Sequence, residues 1–83
     1  MDEGEVLYIQ AYREGYLDSV RKRTGQGDLP PDAHAEAQAA AERAALGLDP
    51  EQLDNPAMGY THGRYHGWHG KLSPGAYQRA KQN

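Results

Sequence analysis

The sequence predicts an all-α protein: an N-terminal helical hairpin, followed by short helical pieces and an arm rich in glycine, histidine and aromatic residues. Three observations predict this class. Apolar residues recur at helical spacing in the first third of the chain, and alanine, the strongest helix former, dominates the middle. No stretch shows the alternation of apolar and polar residues that is typical of a strand.

The first helix is predicted over residues 3–24. Acidic residues at its start and basic residues at its end suit the helix dipole, and Gly25 can close it in the left-handed conformation. Arg13 falls within the apolar stripe, where we expect its stem to lie along the helix and its charge to reach water. The side chains on the stripe are Val6, Ile9, Tyr12, Tyr16, Leu17 and Val20, flanked by Tyr8.

A second helix is predicted from Pro31 or Asp32 to Leu46, because eight alanines occupy this stretch and Gly47 stands where a helix would end. The turn residues before it make the connection short. Alanines bury little surface each, so larger side chains must meet them, and the tyrosine-bearing face of the first helix is the nearest candidate. The stripe consists of Ala33, Ala37, Ala40, Ala41 and Ala44.

Cap signals divide the second half of the chain into short pieces. Asp49 and Gln52 have the form of a capping box around a first-turn proline, which predicts a helical turn to Leu53. An Asn or Ser followed by proline repeats this start signal at Asn55-Pro56 and at Ser73-Pro74.

The segment 59–70 is a small internal repeat of glycine, histidine and aromatic residues. If it is helical, Gly59, Gly63 and Gly67 line one side and let another backbone approach, while His62 and His66 lie one turn apart. Each glycine costs a helix about 1 kcal/mol relative to alanine. The segment therefore needs something to pack against.

Composition leaves little to bury. The 83 residues include ten Leu, Ile or Val and no Phe, so we expect the last thirty residues to become rigid only against a neighbouring molecule. The lack of cysteine excludes disulfides and thiol chemistry. No apolar run reaches the roughly 18 to 20 residues of a membrane span, and no signal peptide is apparent, so we expect no membrane partner.

Charge divides the chain at residue 54. Residues 1–54 hold all twelve acidic side chains and five basic ones, a formal charge of −7, and form the predicted acidic helical part. Residues 55–83 hold four basic and no acidic side chains, a charge of +4, and form a basic arm that is not an independent domain. Such asymmetry indicates an interaction segment, or an arm that folds back on the acidic helices.

The arm is the candidate site, and contact with a protein, either a partner or another copy of the chain, is the favoured interpretation. Tyrosine, tryptophan and arginine are the usual anchors of protein interfaces. The candidate partner-binding residues are Tyr60, His62, Arg64, Tyr65, His66, Trp68, His69 and Lys71. Histidines there would make binding sensitive to pH near their ordinary pKa of roughly 6.5.

Two other binding modes stay open. The same cations and aromatic rings could pair with phosphates and stack on bases, which would make the chain a nucleic-acid-binding protein. Alternatively, the acidic helices could imitate nucleic acid. The side chains that would do so are Glu3, Glu5, Glu14, Asp18, Asp28, Asp32, Glu36 and Glu42.

Metal binding and catalysis are disfavoured. His62, His66 and His69 are weak candidate metal ligands, but the arm has no carboxylate to complete a shell, so we expect no metal and no cofactor. Neither Ser19 nor Ser73 lies in a motif that combines a nucleophile, a base and an orienting group. We therefore expect a protein that is not an enzyme.

The chain resembles small accessory proteins of phages that infect high-GC actinobacteria. The resemblance lies in Ala-Tyr-x-x-Gly-Tyr at 11–16, the alanine-rich acidic middle, and Asn55-Pro56 before a glycine and aromatic end. It implies an inhibitor of a host complex, such as an anti-CRISPR or anti-restriction protein, or a small virion or assembly component. The implied location is the host cytoplasm or the virion.

Overall fold

The structure, a computed structural model, describes residues 3–69, which form four helices and no strand. The all-α prediction is confirmed. The helices are α1 (Glu3–Thr24), α2 (Pro31–Leu46), α3 (Pro50–Leu53) and α4 (Pro56–Trp68). None of them is both long enough and apolar enough to cross a membrane.

The predicted helix ends are confirmed in atomic detail. Gly25 has φ of 75°, and its N–H donates to the carbonyl of Arg21 at 2.8 Å, which closes α1. The Asp49 side chain accepts from the backbone of Gln52, whose own side chain accepts from the Asp49 N–H at 3.1 Å, so the capping box is complete. These local signals need only neighbouring residues, which is why the sequence alone reveals them.

The core forms where α2, α3 and α4 pack around α1. The side chains of Tyr8 and Tyr12 are fully buried, and small alanines of α2 share one apolar cluster with them. The cluster comprises Tyr8, Ile9, Tyr12, Tyr16, Leu17, Val20, Ala37, Ala41, Ala45 and Leu53. The alanine stripe therefore packs against the tyrosine-bearing face of α1. This is expected because small alanine side chains need large partners to fill the core.

Val6 of α1 differs from expectation, whereas Arg13 keeps its charged group at the surface as expected. Val6 lies at the exposed edge of the stripe rather than in the core, because the buried face runs through Tyr8, Tyr12 and Tyr16. Arg13 is exposed, and its guanidinium donates to Oε1 of Gln38 on α2 at 2.8 Å. Arg13 thus links the two helices of the hairpin by a hydrogen bond.

The second half is more regular than the predicted short pieces. Residues 56–68 form a 13-residue helix that packs along α1 in the most extensive helix–helix contact of the described residues. The support that we expected from a neighbouring molecule is therefore supplied to α4 by α1 of the same chain. The predicted cap at Ser73-Pro74 and the candidate residue Lys71 lie outside the described residues.

Candidate functional site

α1 and α4 meet backbone to backbone along a glycine seam, formed by Gly15 of α1 and by Gly59, Gly63 and Gly67 of α4. All four are buried. A methyl group added at Gly59 would lie 2.8 Å from the carbonyl oxygen of Tyr8, and one added at Gly63 would press on the backbone of Tyr12. Any larger residue in the seam would push the helices apart. The spacing of four residues places the three glycines of α4 on one face of that helix, as the sequence predicts.

Two tyrosine–histidine pairs lie beside the seam. The Tyr8 hydroxyl is hydrogen-bonded to Nδ1 of His62 at 2.8 Å, and the Tyr12 hydroxyl is bonded in the same way to His66. The two imidazole rings lie parallel, with their centroids 6.1 Å apart. Because residues four apart are neighbours on both helices, the register set by the glycines also aligns the two pairs.

Further polar contacts fix the register of α4 on α1. The buried Ser19 hydroxyl donates to the Arg64 carbonyl at 2.6 Å, which assigns this serine to helix packing. The Tyr60 hydroxyl donates to Oδ2 of Asp18 at 2.9 Å, while Oδ1 of the same carboxylate pairs with Arg21 at 3.0 Å. These bonds satisfy polar groups beside the seam.

The tyrosines of the core are held in their neutral form. Burial raises the pKa of Tyr8 to about 12. Burial, followed by the nearby Tyr8 and Tyr16, raises the pKa of Tyr12, and burial followed by Glu36 raises the pKa of Tyr16. The hydrogen bond to Asp18 is the main cause that raises the pKa of Tyr60. A neutral phenol keeps its hydroxyl proton, which Tyr60 donates to Asp18.

The side of α4 opposite the seam faces outward and carries large side chains. Tyr65 and Trp68 are 55% and 54% exposed, respectively, and Arg64 and His69 are also exposed. The rings of Tyr65 and His69 lie 4.7 Å apart. We call these four exposed residues, three in α4 and the residue that caps its C-terminal end, the outer face of α4. Trp68 therefore does not supply the core, and the buried rings come from α1 instead.

The structure divides the candidate residues of the arm into two groups. Tyr60, His62 and His66 are half-buried and bonded to α1, whereas the outer face holds Arg64, Tyr65, Trp68 and His69. Lys71 lies outside the described residues.

Sequence reasoning missed the partners that α1 supplies to the arm, namely Tyr8, Tyr12, Gly15, Asp18 and Ser19. One signal could have found the tyrosine–histidine pairs. Tyr8 and Tyr12 repeat at the same four-residue interval as His62 and His66.

Among residues 3–69, no three His, Asp or Glu side chains are grouped so that they could hold a metal ion. His62 and His66 direct Nδ1 toward tyrosine hydroxyls. The arrangement binds α4 to α1 and presents the outer face of α4 to solvent.

Comparison of the chain with protein-family models, with curated proteins and with solved structures finds no match.

Proposed function

We propose that this chain is a non-enzymatic interaction protein that binds a protein surface through the outer face of α4. One observation carries the proposal: Tyr65 and Trp68 are more than half exposed on a helix whose opposite face is fixed to α1 by backbone contact. Aromatic and arginine side chains dominate the energetics of protein interfaces. A small protein with few apolar residues that still exposes its single tryptophan has a surface suited to contact.

Rigidity strengthens the proposal. Binding orders side chains and loops at a cost, and a surface that is already ordered avoids part of this cost. The glycine seam and the tyrosine–histidine pairs hold the α4 backbone before any partner arrives. The resemblance noted above favours a phage-encoded inhibitor of a host complex or a small assembly component as the biological setting.

The experiment is co-purification. A tagged chain is expressed with an untagged copy in an actinobacterial host, and proteins recovered with the tag are identified by mass spectrometry. The matched variants are Trp68→Ala and Leu7→Ala, since Leu7 is also an exposed apolar residue, 43% exposed, but lies on α1. We expect Trp68→Ala to abolish recovery of the partner and Leu7→Ala to retain it. Recovery unaffected by Trp68→Ala would contradict the proposal.

Nucleic-acid binding through the same face is the second candidate, because the Arg64 guanidinium lies over the Tyr60 ring, 6.0 Å from its centroid, and residues 55–83 contain no acidic side chain. The two candidates differ in their response to salt. Phosphate contacts weaken steeply between about 50 and 200 mM salt, whereas an aromatic-anchored protein contact does not. Loss of all binding at the higher salt, or after nuclease treatment, would favour nucleic acid.

A further inference from the structure

A second exposed surface lies at the end of α2. Leu46, the last residue of this helix, is 84% exposed, the highest value among the large hydrophobic side chains of residues 3–69. Glu42 precedes it by four residues and is also exposed. The Glu42 carboxylate accepts from Gln38, which in turn accepts from Arg13, so this chain of hydrogen bonds holds the acidic group at the surface.

The end of α2 matches the outer face of α4 in spacing and in chemistry. Arg64 and Trp68 are four residues apart on α4, and Glu42 and Leu46 are four residues apart on α2. Side chains four apart on a helix lie about 6 Å from each other on the same face. Trp68 can therefore cover Leu46 while Arg64 reaches Glu42.

Charge favours this pairing over one between two like surfaces. Residues 1–54 carry a formal charge of −7, whereas residues 55–69 carry the cation Arg64 and no acidic side chain, so Arg64 of one molecule is attracted to the acidic helices of another.

We propose that the outer face of α4 in one copy binds the Glu42–Leu46 end of α2 in a second copy. The inference rests on the proposed function and names the partner of the same surface. α2 and α4 both pack on α1 and hardly touch each other, so one copy presents both surfaces at once. The two surfaces differ, so the contact is head to tail and can join more than two copies.

The experiment measures mass by sedimentation velocity over about a hundredfold range of concentration. The wild-type chain should associate as concentration rises. Trp68→Ala and Leu46→Asp should each weaken association by at least about tenfold, whereas Leu7→Asp should leave it unchanged. These side chains are exposed, so unaltered circular dichroism melting checks that each variant is folded.

Mixing the two defective variants tests the head-to-tail geometry. The Leu46→Asp variant keeps an intact outer face of α4 and the Trp68→Ala variant keeps an intact end of α2, so the mixture should form dimers and nothing larger. Arg64→Glu and Glu42→Arg should each weaken association, and the chain that carries both changes should recover it.

Three results would overturn the inference: a wild-type chain that stays monomeric throughout, Leu46→Asp that associates like wild type, or a mixture with no dimer. The proposed function fails separately, when Trp68→Ala retains every protein that the wild-type chain recovers. Recovery of another protein in a Trp68-dependent manner, without the untagged copy, would overturn the inference and support the proposed function.

Discussion

Gly63 shows most directly how single residues set the distance between α1 and α4. A Cβ at this position would lie 2.8 Å from the carbonyl carbon of Tyr12 and 3.0 Å from its Cα, closer than real side chains approach a backbone. The neighbouring atoms belong to the backbone, so no side chain can rotate away to make room. Steric fit in the seam depends on the absence of a methyl group.

We predict that Gly63→Ala destabilises the protein by about 2 kcal/mol, because a clash with backbone atoms this close should cost about 3 kcal/mol, the upper end for an overpacked site, against a helix-propensity gain of about 1 kcal/mol. The melting temperature should fall by about 10 °C. Gly27→Ala is the matched control, since a Cβ there meets nothing within 4 Å. Equal melting temperatures for the two variants would show that the seam is not tightly packed.

The sequence does not reveal which residues face these glycines. The spacing of Gly59, Gly63 and Gly67 predicts that a backbone approaches, but a glycine carries no side chain that would identify the backbone. Contacts such as Ser19 with the Arg64 carbonyl join residues 45 positions apart, and no local pattern indicates them. Only the folded arrangement reveals that α1 is the partner.

The amino-acid composition of α4 disfavours a helix. Three of its 13 residues are glycines, each unfavourable by about 1 kcal/mol relative to alanine. Packing against α1 and a cap at the N-terminus of the helix offset this cost. Asn55 is this N-terminal cap, since its side chain accepts from the Met58 N–H at 3.2 Å, and Pro56 occupies the first turn.

We predict that Asn55→Ala lowers the free energy of unfolding by about 1 kcal/mol, because the Met58 N–H loses the acceptor that caps the helix. Urea unfolding followed by circular dichroism measures the change. Asn55→Asp, which keeps a capping oxygen, should stay close to wild type. If alanine and aspartate behave alike, the cap contributes nothing to stability.

The elements differ in how far the sequence determines them. The bounds of α1 and α2 follow from periodicity, alanine content and terminal glycines, all of which act locally, and the structure confirms them. For α4 the local signals conflict: the cap at Asn55 starts a helix while the glycines weaken it. The contact with α1 resolves the conflict, so its full length of 13 residues emerges only in the folded chain.

For the whole molecule, buried tyrosines replace the aliphatic core that the sequence lacks. Tyr8, Tyr12 and Tyr16 lie in a row along α1, with adjacent ring centroids 6.0 and 6.2 Å apart. A tyrosine contributes a large apolar ring to the interior and a hydroxyl to the edge. The same rings serve both the alanine stripe of α2 and the histidines of α4, so one row of side chains connects the three long helices.

This dependence on neutral phenols makes stability sensitive to alkali. Burial raises the pKa of Tyr8 to about 12 and also raises the pKa of Tyr12 and of Tyr16, whereas an unfolded tyrosine titrates near pH 10. The folded state retains these protons to higher pH than the unfolded state does. The stability that the buried phenols contribute is therefore fully present below about pH 10 and is lost as the pH rises toward 12. Each such phenol removes about 1.4 kcal/mol per pH unit in this window.

We therefore predict cooperative unfolding above about pH 10, with the buried phenols ionising as the helices melt. Tyrosinate absorbance near 295 nm and helical circular dichroism, recorded on the same samples, should change together for this fraction of the tyrosines. Phenols that all ionise near pH 10 while the helical signal persists would show that the tyrosine row is open to water. The row would then not be the centre of the fold.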